Sequence, residues 1–244
     1  MKRVVYFNAR TPDSDWYNLV GFPPEKLKMS DYVKGNGRFC PALKEIFKNV
    51  YVIRSPFDLY LRHNFQQNGD SWIEVLPKST LSPDKFNDVF HVSSKEDINH
   101  KDRPMIQMTL PVLFLSDSDI QMDLMPPFLE YNKIPGIIAG GSFNIHDWQR
   151  PINMMFEWHD TSKDLIIKRG DPILYLKFTN QRRDSSISLE NIEPTDKLKK
   201  MMNECTGAKA MTNGLSSTLM KEHGKRRPKR LIKLHIKYIL DRLR

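Results

Sequence analysis

Alternation of apolar residues between positions 105 and 178 constrains this chain more than any other feature. Ile152, Met154, Phe156 and Trp158 fall two apart, with Asn153, Met155 and Glu157 between them. That spacing puts the two sets on opposite faces of a β-strand. Ile106, Met108 and Leu110 repeat it, as do Ile120, Met122 and Leu124. Two further runs, 112–115 and 173–178, are continuously apolar or nearly so, rich in β-branched and aromatic residues. Pro172 has no N–H for a ladder, so it must open a strand or sit at an edge or bulge. The polar stretches 116–119 and 159–164 predict hairpin turns, the second joining strands 152–158 and 165–168. Gly136, Gly140 and Gly141 predict bulges or tight bends.

The first hundred residues carry weaker signals. Positions 3–7, 50–54, 58–61 and 71–76 read as strands, and 8–38 as loop punctuated by prolines and Gly35-Asn36-Gly37. Cys40-Pro41 opens a short helix over 41–48, since a proline at the first helical position removes an N–H that has no partner there anyway. Residues 82–104 are polar without a clear period. After Phe178 the pattern changes. Thr195 is placed to cap a helix over 196–205 that Gly207 stops, and a second helix is expected over 215–222. A last helix follows Pro228, with Ile232, Ile236, Ile239 and Leu243 in one narrow stripe. The fold class expected is mainly β, an antiparallel sandwich or barrel-like body over 1–180. A helical C-terminal region over 181–244 makes the whole α+β.

Composition narrows the setting. A hydrophobic share of 39% suits a globular chain rather than a disordered one. No apolar run approaches the roughly 18 residues a membrane helix needs. Only four apolar residues follow Met1-Lys2-Arg3 before Asn8, too few for the core of a signal peptide. Cys40 and Cys205 are therefore expected as reduced thiols in an intracellular protein. The net charge of +9 is not spread evenly: residues 221–244 hold ten Lys/Arg and two acids, so the other 220 residues are nearly neutral. Basicity belongs to the tail.

Several segments share a pattern: Trp148-x-Arg150-Pro151, Phe156, Gly170-Asp171-Pro172 and 175–178, with Cys40-Pro41 and Ser55-Pro56-x-Asp58 upstream. Over 38–180 this resembles a set of uncharacterised β-rich proteins of tailed phages and some bacteria. The resemblance implies a phage-type protein in the cytoplasm of an infected host cell or in a virion, and carries no catalytic residues with it. The Gly-Asp-Pro-Ile segment is also similar to a strand of trimeric dUTPases, but that family's nucleoside motif and glycine-rich arm are missing.

Candidate sites follow from residue chemistry. Lys225, Arg226, Arg227, Lys229, Arg230, Lys233 and Lys237 are dense enough to meet several phosphates or an acidic partner. No base-reading motif accompanies them, so nucleic-acid contact through them would be independent of sequence. Trp148 and Arg150 form a candidate anion or ligand contact, or a guanidinium packed on an indole. His146, His159 and Asp160 are the donors from which one divalent metal site would be built. Adjacent His-Asp residues equally suit turns that bond local backbone. Cys40 before a helix is a weak nucleophile candidate, and Asp117, Asp119 and Asp123 a weak cation candidate. The leading functional expectation is a non-catalytic binding or structural protein without a cofactor. It would act in assembly, in the virion or in host interaction, bind a protein partner or itself, and touch nucleic acid through the tail. The second is a small metal-dependent enzyme using His146 and His159.

Overall fold

A computed structural model describes residues 2–8, 22–65, 71–93, 100, 102–110, 112–130, 134–146, 148, 151–180 and 186–200. Among these the chain is mainly β with few helices. In chain order the strands are β1 (Lys2–Asn8), β2 (Glu25–Lys26), β3 (Val50–Arg54), β4 (Leu59–Phe65), β5 (Ser71–Val75), β6 (Phe90–Val92), β7 (Met105–Thr109) and β8 (Val112–Leu115). They continue with β9 (Ile120–Met125), β10 (Gly136–Ala139), β11 (Gly141–Asn144), β12 (Asn153–Trp158), β13 (Leu165–Ile167), β14 (Pro172–Asn180) and β15 (Ile187–Asn191). Two short helices, α1 (Pro41–Phe47) and α2 (Pro83–Val89), each begin with a proline at the position where its missing N–H does no harm.

The strands form a five-stranded sheet in the order β11-β9-β14-β3-β2, a four-stranded sheet β10-β12-β7-β6, and two three-stranded sheets, β15-β1-β8 and β13-β4-β5. Pairing is antiparallel throughout these sheets except between β1 and β15. Inward residues of all four sheets meet in one apolar core. Val4, Leu61, Ile120, Phe156 and Phe178 belong to it. Two smaller clusters lie on outer faces. Leu198 packs on Val5, Phe7, Leu113 and Leu115, while Leu27 and Phe47 pack on Val50, Val52 and Tyr175.

Strand β14 is where the two apolar layers of the five-stranded sheet coincide. Leu174, Leu176 and Phe178 point into the shared core, and Tyr175 points into the outer cluster under α1. All four are inaccessible to water. A strand buried on both faces reads as a nearly continuous apolar run, which accounts for the loss of alternation in 173–178. Its start is fixed by turn chemistry. Gly170 adopts φ +88°, a conformation that costs glycine little. Asp171 accepts a hydrogen bond from the Lys168 amide through its carboxylate at 2.8 Å. The Gly170 amide donates to Ser55 O, and the Ser55 amide donates to Asp171 O, both at 2.9 Å. Pro172 then opens β14, with a register shift between it and Leu174. The proline sits at a strand start with a bulge beside it, as its missing donor requires.

Neither predicted hairpin forms. β8 pairs with β1, whereas β9 pairs with β11 and β14, so residues 116–119 carry the chain from one sheet to another. Ser116 fixes that corner: its hydroxyl donates to Arg3 O at 2.9 Å and accepts from the Ser118 amide at 3.1 Å. Likewise β12 pairs with β10 and β7, and β13 pairs with β4. The 159–164 turn leaves the four-stranded sheet because the His159 and Asp160 amides both donate to Pro135 O. The Trp158 indole donates to Asp160 O at 3.0 Å. Polar turn residues report a reversal of direction; which strands then pair is decided by distant partners.

Gly140 lies between β10 and β11, where the chain passes from the four-stranded to the five-stranded sheet. Gly136 sits against the Glu157 carbonyl and the Phe156 ring so closely that a Cβ would have no room. Residues 82–104, which lack a clear period, include α2 and β6. Past residue 180, where a helical region is expected, β structure continues in a different sheet, since β15 pairs in parallel with β1 from Lys2↔Ile187 to Tyr6↔Asn191. Thr195 caps the helical residues 196–200 as expected, its hydroxyl accepting from the Leu198 amide at 3.3 Å. The helices expected over 215–222 and after Pro228 lie outside the described residues, as does Cys205. No helix among the described residues is long and apolar enough to cross a membrane.

Truncating Leu176 to alanine should cost about 2–5 kcal/mol of folding free energy, the range for cavities left by fully buried leucines. Chemical denaturation followed by far-ultraviolet circular dichroism measures it. A loss below about 1 kcal/mol would mean that β14 is not packed on its inner face.

Candidate functional site

The outward face of the five-stranded sheet divides into two halves. Near β3 and α1 it is apolar and covered. Toward β9 and β11 it is polar and open, forming a groove of about 650 Å³. Strand alternation builds its floor. Gln121 and Asp123 of β9 and Lys177 and Thr179 of β14 point away from the core, between the buried Met122, Leu124, Leu176 and Phe178. Register then sets them in rows. Lys177 lies opposite Asp123, which lies opposite Ser142 of β11; Thr179 lies opposite Gln121, which lies opposite Asn144.

These side chains hold one another. The Ser142 hydroxyl donates to Asp123 Oδ1 and accepts from Gln121 Nε2 at 2.7 Å. Asn144 Nδ2 donates to Asp119 Oδ1 at 2.5 Å. Across the groove Lys177 Nζ donates to Glu45 O of α1 at 2.8 Å, and Lys48 pairs with Glu45 at 3.6 Å. Asn49 closes the turn after α1 with φ +54°, a left-handed conformation that asparagine tolerates better than most residues. Its carbonyl accepts from the Phe178 amide at 3.1 Å and its side chain from the Ile187 amide at 3.2 Å, which ties α1 to β14 and β15.

Chemically the groove is an array of alternating donors and acceptors carried on strands. Ser142 bonded to Asp123 is not a nucleophile–base pair of the usual kind, because among the described residues no histidine lines the groove to take the proton. The arrangement suits recognition of a polar, hydrogen-bonding surface.

The residues singled out from the sequence are placed elsewhere. The His146 amide donates to Asn144 Oδ1 at 3.0 Å in a local turn after β11. Trp148 packs against Phe143 in a tilted pair with ring centroids 4.4 Å apart. Arg150 and Asp147 lie outside the described residues, as do Lys225, Arg226, Arg227, Lys229, Arg230, Lys233 and Lys237. His159 Nε2 lies 3.3 Å from Glu157 Oε1, an oxygen that Arg103 approaches at 3.7 Å. Asp160 bonds Lys163 at 2.7 Å and the Ser162 hydroxyl at 2.5 Å. These two donors, Lys163 foremost, hold its carboxyl below the ordinary aspartate range. His159 and Asp160 stand just before β10 through their bonds to Pro135, and His146 stands just after β11. Among the described residues no three His, Cys, Asp or Glu side chains gather as a metal site. Asp119 and Asp123 do share the groove, bonded to Asn144 and Ser142. Cys40 is a free, half-buried thiol at the start of α1.

Gln121, Ser142, Asn144, Lys177 and Thr179 escaped the sequence reading. Alternation in 120–124 marks Gln121 and Asp123 as outward, but their neighbours come from strands about 20 and 55 positions away, and only the register joins them.

His146→Ala and His159→Ala should each leave the metal content of the purified protein unchanged, as measured by inductively coupled plasma mass spectrometry. Stoichiometric metal in the parent protein that either substitution removes would establish the site that the geometry argues against.

No family model matches this chain, and no curated protein or solved structure is significantly similar to it.

Proposed function

We propose that this is a non-catalytic, phage-type binding or structural protein, acting in virion assembly or in contact with the host. Its β body presents the polar groove to a protein partner or to a second copy, and its basic C-terminal segment contacts nucleic acid or an acidic surface. The observation that carries the reading is the groove itself. Its polar side chains are bonded into rows on rigid strands, which favours docking of a hydrogen-bonding partner over proton transfer or nucleophilic attack. The concentration of charge in residues 221–244 supports the second half, because ten Lys/Arg against two acids suit phosphate contact with counterion release.

Neutralising the tail in the full chain (Lys225→Gln, Arg226→Gln, Arg227→Gln, Lys229→Gln, Arg230→Gln) tests the nucleic-acid half. Fluorescence anisotropy with labelled single-stranded DNA across a salt series should show the slope of log K against log salt reduced by about 3–4, close to 0.7 for each phosphate that is no longer neutralised. An unchanged slope would make the tail a docking segment and remove nucleic acid from its role.

A further inference from the structure

Beside the polar groove, and sharing Lys48 and Asn49 with it, lies a shallower hollow of about 540 Å³. Among the described residues four lysines surround it, Lys26, Lys28, Lys44 and Lys48, and no acid lines it. Their convergence follows from two elements. β2 is an edge strand, and the buried Leu27 between Lys26 and Lys28 turns both lysines outward. The Leu27 amide donates to Val50 O at 2.9 Å and anchors the segment. On α1 and its end, Lys44 and Lys48 are four positions apart and share one face, while Phe47 is buried beneath them. Nearby acids are engaged elsewhere. Glu25 is drawn to Arg54 at 3.0 Å, and Glu45 pairs with Lys48 on the groove side. Among the described residues Lys26, Lys28 and Lys44 take part in no ion pair.

Fold stability does not call for this. Like charges gathered round one hollow repel, and the chain outside the tail has nearly equal numbers of acids and bases from which to neutralise them. Protection of an edge strand against unwanted pairing is a known use of lysine, and it accounts for Lys26 and Lys28. It does not account for Lys44 and Lys48, which belong to a helix and its end.

We infer that the hollow is a phosphate-binding surface for a nucleic-acid strand, built into the β body and separate from the basic tail. Lysine ammoniums act as compact point charges toward phosphate oxygens, and among its described residues the hollow has none of the guanidinium forks that pair bidentately with carboxylates. Phe47, the one aromatic among its described residues, is buried, so bases find no exposed ring to stack on there and the backbone is what is contacted. The carboxylates Glu45, Asp119 and Asp123 in the adjoining groove repel phosphate and confine the strand to the lysine side. The inference stands whether or not the tail also binds.

The test uses the full chain carrying Lys26→Gln, Lys28→Gln and Lys44→Gln, with the tail-neutralised chain beside it. Anisotropy with labelled single-stranded DNA across a salt series should show the slope reduced by about 2 in the hollow variant, with affinity at low salt down about tenfold or more. Unlabelled inorganic polyphosphate should displace the DNA better than polyglutamate of equal charge. Circular dichroism should be unchanged, since all three lysines are exposed. Wild-type affinity and slope in the hollow variant overturn the inference, and they leave the tail reading intact if the tail-neutralised chain has lost binding. Increased light scattering with unchanged affinity also overturns it and makes the lysines edge guards. Polyglutamate competing as well as polyphosphate overturns it in favour of an acidic protein surface.

Discussion

Burial of β14 on both faces governs the packing of every layer around it. Its inner side chains complete a core shared by four sheets, and Tyr175 on its outer side completes the cluster that seats α1. Ring contacts reinforce both sides: Phe178 meets Phe114 and Tyr51, and Tyr175 meets Phe128 edge-on at 5.2 Å. Because β14 pairs with β3 on one edge and β9 on the other, its register also fixes where Lys177 and Thr179 emerge relative to Asp123 and Gln121. A slip of one residue would turn Lys177 into the core and bring Phe178 to the open, polar part of the outer face. The Gly170–Asp171–Ser55 hydrogen bonds prevent that slip by fixing where the strand begins.

The polar groove and the lysine hollow are two consequences of how α1 lies on the five-stranded sheet. A helix turns about 100° per residue, so neighbouring positions of α1 serve different surfaces. Phe47 faces the outer cluster, Glu45 lines the groove, where its backbone carbonyl accepts from Lys177, and Lys44 and Lys48 line the hollow beside β2. The division of charge between the two hollows is thus a product of helix geometry laid against strand geometry, with Lys48 and Asn49 at the border.

The turns show where local chemistry stops being informative. Ser116 and Asp160 behave as turn residues should, bonding amides two or three positions along. Yet each of these turns also makes a bond that redirects the chain, from Ser116 to Arg3 O and from the His159 and Asp160 amides to Pro135 O. Those long-range acceptors convert two expected hairpins into corners between sheets. The second also commits the His159 segment to local structure, and among the described residues no three His, Cys, Asp or Glu side chains gather as a metal site.

Amino-acid order was enough to place the strands in the middle of the chain, the proline-opened strand β14, helix α1 and the Thr195 cap. Each depends on side-chain period, on a missing N–H or on a hydroxyl within three residues, all of which are local properties. Nearly all of the excess positive charge could likewise be assigned to 221–244 by position alone. Folding in three dimensions was needed to set which strands pair, to join β15 to β1 in parallel from Lys2↔Ile187 to Tyr6↔Asn191, and to make particular outward residues neighbours. Lys26 and Lys44 are 18 positions apart with nothing in either segment to link them, and Asp123 meets Ser142 and Lys177 only through register. Sites of this kind are assembled by burial of the apolar residues between their members, so their chemistry becomes visible only once the core has fixed the register.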